Sequence, residues 1–153
     1  MKTKTKGFWN PILRKKPKAY IAGPLCTKPE REFLERIEQI CRKHKLKTFL
    51  PHRDCGLWKS MKDVKRIAEG DLNGFKDCDF LIASLNGFNI GAGTAWEMGY
   101  AHAKGMPVIA VKTDRKVKES IEEISAIIMG TTKIATSLKE LEGEIKRLIQ
   151  RLG

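Results

Sequence analysis

From position 18 the chain is written in short apolar runs separated by longer stretches of helical period. Lys18-Ala19-Tyr20-Ile21-Ala22 is stopped by Gly23-Pro24, the pattern of a buried strand and a sharp turn. Over residues 29 to 45 the period changes, and Phe33, Ile37, Ile40, Cys41 and His44 recur at helical spacing behind a start signal at Thr27 or Pro29. Lys47-Thr48-Phe49-Leu50 predicts a second strand, and the polar stretch from Pro51 to Ser60 a loop. A helix is predicted from about Met61 to Phe75, then the clearest strand of the sequence, Asp79 to Leu85. The glycine-rich segment Asn86 to Gly93 opens a helix over Thr94 to Lys104, which Gly105 ends. Pro107 to Val111 is the next apolar strand. A weaker helix is predicted over Glu119 to Ile128 and a last strand at Lys133-Ile134-Ala135. Leu138, Leu141, Ile145, Leu148, Ile149 and Leu152 mark a strongly amphipathic final helix.

Strands alternating with helices, and apolar strands that show no polar face, imply a parallel sheet covered on both sides. The fold class predicted is α/β, a single doubly wound domain with a five-stranded parallel sheet, over residues 18 to 153. Ligands of such folds sit beyond the carboxyl ends of the strands, where the strand order switches. Candidate chemistry is therefore sought after Ala22, Leu50, Leu85 and Val111.

Composition narrows the class. The 153 residues, 41% hydrophobic and 31% charged, suit one globular domain that needs neither disulfides nor a structural metal. Cys26, Cys41, Cys55 and Cys78 are scattered without metal-ligand spacing and read as reduced thiols. With no long apolar run and no signal-like start, the expectation is a soluble, cytoplasmic protein without membrane contact. Of the net charge of +12, seven units fall in residues 1 to 18, leaving +5 on the body. The basicity thus belongs largely to an N-terminal tail, residues 1 to 17, and nucleic acid is not the expected partner. That tail also carries Phe8, Trp9, Ile12 and Leu13, which would suit docking on the body or a neighbouring subunit.

Some residues do not fit their places. On a helical wheel Val64, Ile67, Ala68, Leu72 and Phe75 share one arc, and Asp71 lies inside it. A carboxylate on an apolar face must find donors or line a cavity. The segment Asn86-Gly87-Phe88-Asn89-Ile90-Gly91-Ala92-Gly93-Thr94-Ala95-Trp96-Glu97 runs from a strand end into a helix start. Glycines there admit close approach of a ligand, and free N–H groups suit phosphate or sugar oxygens, which makes Asn86, Gly91 and Gly93 candidate binding residues. As a dinucleotide fingerprint it fails, because Trp96 stands where the third glycine belongs, so no nicotinamide or flavin cofactor is expected. Glu97 has two readings. Thr94-Ala95-Trp96-Glu97 has the form of a capping box, and a carboxylate kept ionised by the helix dipole is what a nucleophile toward a sugar carbon requires. Tyr20, near the end of the first strand, is placed to hold a carboxylate in one rotamer. His52 and Arg53, after the second strand, are candidate ligand contacts.

Four segments in order, Tyr20-Ile21-Ala22-Gly23-Pro24-Leu25, Phe49-Leu50-Pro51-His52-Arg53-Asp54, Asp71-Leu72-Asn73-Gly74 and Gly93-Thr94-Ala95-Trp96-Glu97-Met98-Gly99-Tyr100-Ala101, resemble the nucleoside 2-deoxyribosyltransferase family. The resemblance spans roughly Lys18 to Gly130. It implies a flavodoxin-like, Rossmann-like three-layer sandwich, no cofactor or metal, and cleavage of the N-glycosidic bond of a nucleoside or nucleotide through a covalent glycosyl-glutamate. It implies homo-oligomers in which one subunit completes its neighbour's site. Carried over by position, Glu97 is the nucleophile, Tyr20 orients it, Asp71 manages the proton on the departing base, and Gly23 and Pro24 fall among the substrate-binding positions. The sugar passes to another base, giving transfer, or to water, giving hydrolysis.

One departure matters. Transferases that this sequence resembles carry Asp six positions before the nucleophile, and here that place is Gly91. Relatives that hydrolyse nucleoside 5′-monophosphates also lack this acid and hold the phosphate with a serine from a neighbouring subunit. Ile124-Ser125-Ala126-Ile127-Ile128-Met129-Gly130 is similar to their segment, which makes Ser125 the candidate and favours 5′-monophosphates. Two other readings remain at this stage. A cytokinin-type nucleoside-monophosphate phosphoribohydrolase shares the G-x-G-T-x-x-E look but has a P-G-G absent here. A non-catalytic nucleotide or nucleic-acid module would show binding that weakens steeply with salt.

Overall fold

The computed structural model describes residues 16–153. The basic tail expected over residues 1 to 17 lies, except for its last two residues, outside the described residues. Five strands form one parallel sheet: β1 (Lys18–Ala22), β2 (Lys47–Phe49), β3 (Phe80–Ser84), β4 (Val108–Val111) and β5 (Lys133–Ala135), in the order β2-β1-β3-β4-β5. Register is direct, with Tyr20 opposite Phe49 on one side and Leu81 on the other, and Ala83 opposite Ala110. The order reverses between β1 and β3, so the carboxyl ends of these two strands flank the crevice where a doubly wound sheet takes its ligand.

The helices are α1 (Lys28–Lys43), a short α2 (Pro51–Asp54), α3 (Met61–Lys76), α4 (Ala92–Ala103), α5 (Ala126–Thr131) and α6 (Leu138–Leu152). Side chains that alternate along each strand feed two cores. Ala19, Ile21, Phe80, Ile82, Ile109 and Val111 pack with Leu34, Ile37 and Cys41 of α1 and Leu141, Ile145 and Leu148 of α6. On the opposite face Tyr20, Ala22, Leu81, Ala83 and Ala110 pack with Phe75 of α3 and Met98 and Ala101 of α4. This is the three-layer α/β arrangement read from the sequence.

Local chemistry accounts for the element ends. Thr27 caps α1 in a reciprocal box, the Glu30 carboxylate accepting the Thr27 N–H at 2.7 Å. At α3, Asp63 accepts from the N–H groups of Lys59 and Ser60. Gly74 is obligatory where α3 crosses β2, since a Cβ there would lie 2.5 Å from the Phe49 ring. The edge strands β2 and β5 are three residues each and carry exposed Lys47 and Lys133.

Away from the site, the structure departs from the sequence reading after β2, around Ser120 and along α3. The loop predicted after β2 begins with α2, because Pro51 presets a helical φ and the Asp54 carboxylate returns to the Leu50 N–H at 2.9 Å. The helix predicted over Glu119 to Ile128 is instead a 3-10 turn (Val117–Glu119) followed by α5. There Ser120 is buried and its hydroxyl donates to the Lys116 carbonyl at 2.9 Å, which draws the chain into a turn. The apolar arc of α3 is only partly covered: Phe75 is buried, but Val64 and Leu72 keep 40% and 38% of their surface exposed. No described helix is long and apolar enough to cross a membrane. Cys26 is exposed, Cys41 and Cys78 are buried, and Cys55 is partly buried.

Candidate active site

The site begins with a tyrosine in the middle of the sheet. Tyr20 is fully buried on β1 and stacked between two rings, Phe75 at 4.0 Å and Phe49 at 5.0 Å between centroids. Packed in this way its ring has one orientation, and its hydroxyl donates to Glu97 Oε1 at 2.8 Å. Burial, then the charges of Glu97 and Asp71, push the phenol well above its ordinary range, so Tyr20 acts as a fixed hydrogen-bond donor.

Glu97 stands on α4, whose first residue is Ala92, with Gly91 as the N-cap. The helix thus starts earlier than predicted, Thr94 is buried rather than capping, and Glu97 lies in the second turn. The capping-box reading is corrected: no side chain caps α4, and the Glu97 carboxylate turns to Tyr20 instead. The expectation that the helix dipole alone keeps Glu97 charged is corrected too. Burial pushes its carboxyl up to about 7, against the Tyr20 hydrogen bond and helped by the charge of Asp71. Near neutral pH Glu97 is therefore divided between its two protonation states.

Asp71 lies on α3, half-buried, and burial raises its carboxyl above the ordinary range while a hydrogen bond from the Cys55 thiol opposes the rise. Its Oδ1 is buried with no hydrogen-bond partner. A polar atom in that state is costly unless a ligand completes it. The Cys55 thiol is itself pushed up to about 12 by burial and by Asp71, so it stays protonated as a donor. Its sulfur packs against α3 where Gly70 leaves room, 2.5 Å from where a Cβ would be. Glu97, tied to a tyrosine, and Asp71, with an open oxygen, are thus two carboxyl groups with raised affinity for protons, close enough that the charge of Asp71 raises Glu97.

The structure brings Tyr20, Asp71 and Glu97 together. Gly23 and Pro24 follow β1, and Gly23 passes so close to Leu34 and Ser84 that a Cβ would meet Leu34 at 2.6 Å. Gly91 and Gly93 are exposed at the start of α4, and nothing lies within 4 Å of where a Cβ on Gly93 would be. Asn86 exchanges hydrogen bonds with Thr113, donating at 2.9 Å and accepting at 2.8 Å, so its amide holds the loop. His52 and Arg53 are not brought to the Tyr20 and Glu97 pair. His52 Nε2 lies 3.1 Å from Glu35, and Arg53 contacts Glu38, Asp54 and the Thr48 carbonyl, so both face α1. Ser125 precedes α5 with an exposed side chain that makes no capping bond.

Sequence reasoning passed over Cys55 and Lys112. Nothing local marks Cys55, whose nearness to Asp71 depends on how α2 meets α3. Lys112 has a faint signal, a lysine directly after an apolar strand with acids at Asp114 and Glu123. Among the described residues no cluster of His, Cys, Asp or Glu is grouped to hold a metal ion.

Residues 19–137 match the family model described as nucleoside 2-deoxyribosyltransferase. The fold is similar to that of a conserved protein from Enterococcus faecalis V583, with 28% identity, a TM-score of 0.69, and coverage of 86% of this chain and 98% of that one. It is also similar to a 2-deoxyribosyltransferase from the psychrotolerant bacterium Bacillus psychrosaccharolyticus, at 20% identity and a TM-score of 0.68 over 82% of this chain and 90% of that one. A 2-deoxyribosyltransferase from Leishmania mexicana aligns at 23% identity and a TM-score of 0.54, over 72% of this chain and 74% of the other. At these identities the two transferases bear on the fold alone. No curated protein matches the sequence.

Proposed function

Because the chain belongs to the nucleoside 2-deoxyribosyltransferase family, we propose that it cleaves the N-glycosidic bond of (2-deoxy)ribonucleosides or their 5′-monophosphates through a covalent glycosyl-Glu97. The observation that carries this reading is the 2.8 Å bond from the Tyr20 hydroxyl to Glu97 Oε1. It fixes the carboxylate in one rotamer and leaves Oε2 for attack.

In the first step Oε2 of ionised Glu97 bonds to the anomeric carbon as the carbon–nitrogen bond breaks. The bonding pair leaves with the base, and the proton on Asp71 passes to the base. In the second step a nitrogen of a second base, or the oxygen of water, attacks the same carbon, Asp71 takes back a proton, and the Glu97 carboxylate is released. Burial helps both halves, since a desolvated carboxylate is the stronger nucleophile and a carboxyl whose affinity for its proton is raised is the better acid. Productive enzyme carries one proton on the pair.

Water as acceptor and 5′-monophosphates as substrates are favoured by the start of α4. Gly91 occupies the position where an acid would repel a phosphate, and Gly91 and Gly93 leave amides and open space there. Exposed Ser125, offered to a neighbouring subunit, would complete the phosphate contact. A homo-oligomer is part of this reading. Trp58 just before α3, Met61, Val64 and Leu72 on α3 and Trp96 on α4 expose 62%, 78%, 40%, 38% and 57% of their surface, an apolar area that a second copy would cover.

The test is chromatography of a panel of nucleosides and 5′-monophosphates, with and without an acceptor base. Release from monophosphates alone supports the hydrolase, and exchange without net release supports the transferase. A slow 2-fluoro sugar substrate should leave a pentose mass on Glu97; a protein that turns over the panel but never carries that mass sinks the covalent step.

A further inference from the structure

Lys112 follows Val111 at the end of β4, and its side chain is fully buried. A buried ammonium is tolerated only when its donors and its charge are both matched. Here Nζ donates to the carbonyls of Leu85 at 3.1 Å and Gly87 at 3.2 Å. It also pairs with Asp114 Oδ1 at 3.0 Å and Glu123 Oε2 at 3.3 Å. Asp114 Oδ2 accepts the Gly87 N–H at 2.7 Å, and Glu123 is paired a second time with Arg115, whose guanidinium lies 5.0 Å from the Phe88 ring. All these contacts converge on residues 85 to 88, the entry to the glycine-rich loop. Gly87 has φ 107°, a conformation that suits glycine, and both its N–H and its carbonyl are held from the 112–114 segment.

We propose that Lys112 is a positioning residue for the substrate loop: one buried ammonium binds the loop's entry carbonyls to Asp114 and Glu123, and so sets where Gly91 and Gly93 present their amides. This rests on the reading of the site as a glycosidic one. The Tyr20 and Glu97 contact is built from β1 and α4 and does not pass through Lys112, so the ammonium governs how well substrate is held more than how fast the held substrate reacts. A neutral residue in its place would free the loop, leave Asp114 without its cation and leave Glu123 with Arg115 alone, and both changes oppose an anionic substrate.

Lys112→Met and the charge-balanced Lys112→Met/Glu123→Gln are compared with the unaltered protein by base release, thermal unfolding, and amide hydrogen exchange over residues 86 to 91. KM should rise about tenfold or more in both variants, with kcat within about threefold. The melting temperature should fall in the single variant and recover in the double, while KM stays high and exchange over the loop stays fast. KM returning together with the melting temperature would make Lys112 a stabiliser only and overturn the inference, as would an unchanged KM in either variant. If the single variant does not fold, the double variant decides. If the unaltered protein releases no base from any compound, the glycosidic reading fails instead, and unchanged exchange over residues 86 to 91 would still refute the hold on the loop.

Discussion

Tyr20 and Glu97 meet on one face of the sheet, the tyrosine locked by rings and the carboxylate largely desolvated beside it, and that desolvation has consequences for both activity and stability. A carboxyl that titrates at about 7 in the folded protein, against an ordinary 4.5, favours folding while protonated. Its contribution is full below about pH 4.5 and is lost as the pH rises through 7, amounting at most to about 3 kcal/mol by pH 8. Glu97→Gln should therefore be more stable than the parent at pH 8 in urea unfolding, by about 1 to 3 kcal/mol, with the gap closing below about pH 5. The same change should lower turnover by about a thousandfold or more. The nucleophile must be ionised while Asp71 holds a proton, so kcat/KM should be bell-shaped, with an alkaline limb where Asp71 gives up its proton and an acid limb where Glu97 takes one up. In Tyr20→Phe the acid limb should move to higher pH, because the hydrogen bond that favours the charged form is gone; an acid limb that stays in place would show that Tyr20 does not tune Glu97. At this scale the sequence was legible where a residue broke its surroundings. Asp71 on an apolar arc and Glu97 behind a glycine run both stood out, whereas Cys55 and Lys112 sat in ordinary stretches and gained meaning only from residues brought beside them by the fold.

Elements were read most securely where periodicity was strong. The spans of β1, α1 and α6 follow the apolar pattern closely, since burial and period agree along them, and α3 keeps its predicted span although part of its apolar arc is uncovered. The helix predicted over Glu119 to Ile128 is broken because a buried serine and paired charges, which a hydrophobic count does not see, shape the chain ahead of α5 into turns. Helix starts carried a similar ambiguity: Thr94-Ala95-Trp96-Glu97 has the letters of a cap, but Gly91 starts α4 and Glu97 is drawn to the sheet. Where α3 meets β2 the fit depends on a missing side chain. Gly74→Ala would place a methyl group 2.5 Å from the Phe49 ring, whose stacking holds Tyr20. It should cost about 1 to 3 kcal/mol in chemical unfolding and lower kcat as well, although helix propensity alone would make alanine the better residue.

For the whole molecule the sheet order and its layers followed from the alternation of elements, but the uncovered face of α3 did not, since a wheel shows which residues share an arc and not what covers them. Trp58, Met61, Val64 and Leu72 are exposed, and under the proposed homo-oligomer a second copy would bury them. Leu72→Asp combined with Trp58→Asp should reduce the mass seen in sedimentation to that of one chain and lower base release with it; a parent protein that already sediments as a single chain would refute the shared site. The margins of the sheet limit how such copies can meet. Because β2 and β5 offer only three residues each and hold exposed lysines, they are poor templates for adding strand upon strand. Self-association is left to helical faces, which can close on themselves, and concentrated protein warmed short of unfolding should form finite particles in light scattering without acquiring thioflavin fluorescence.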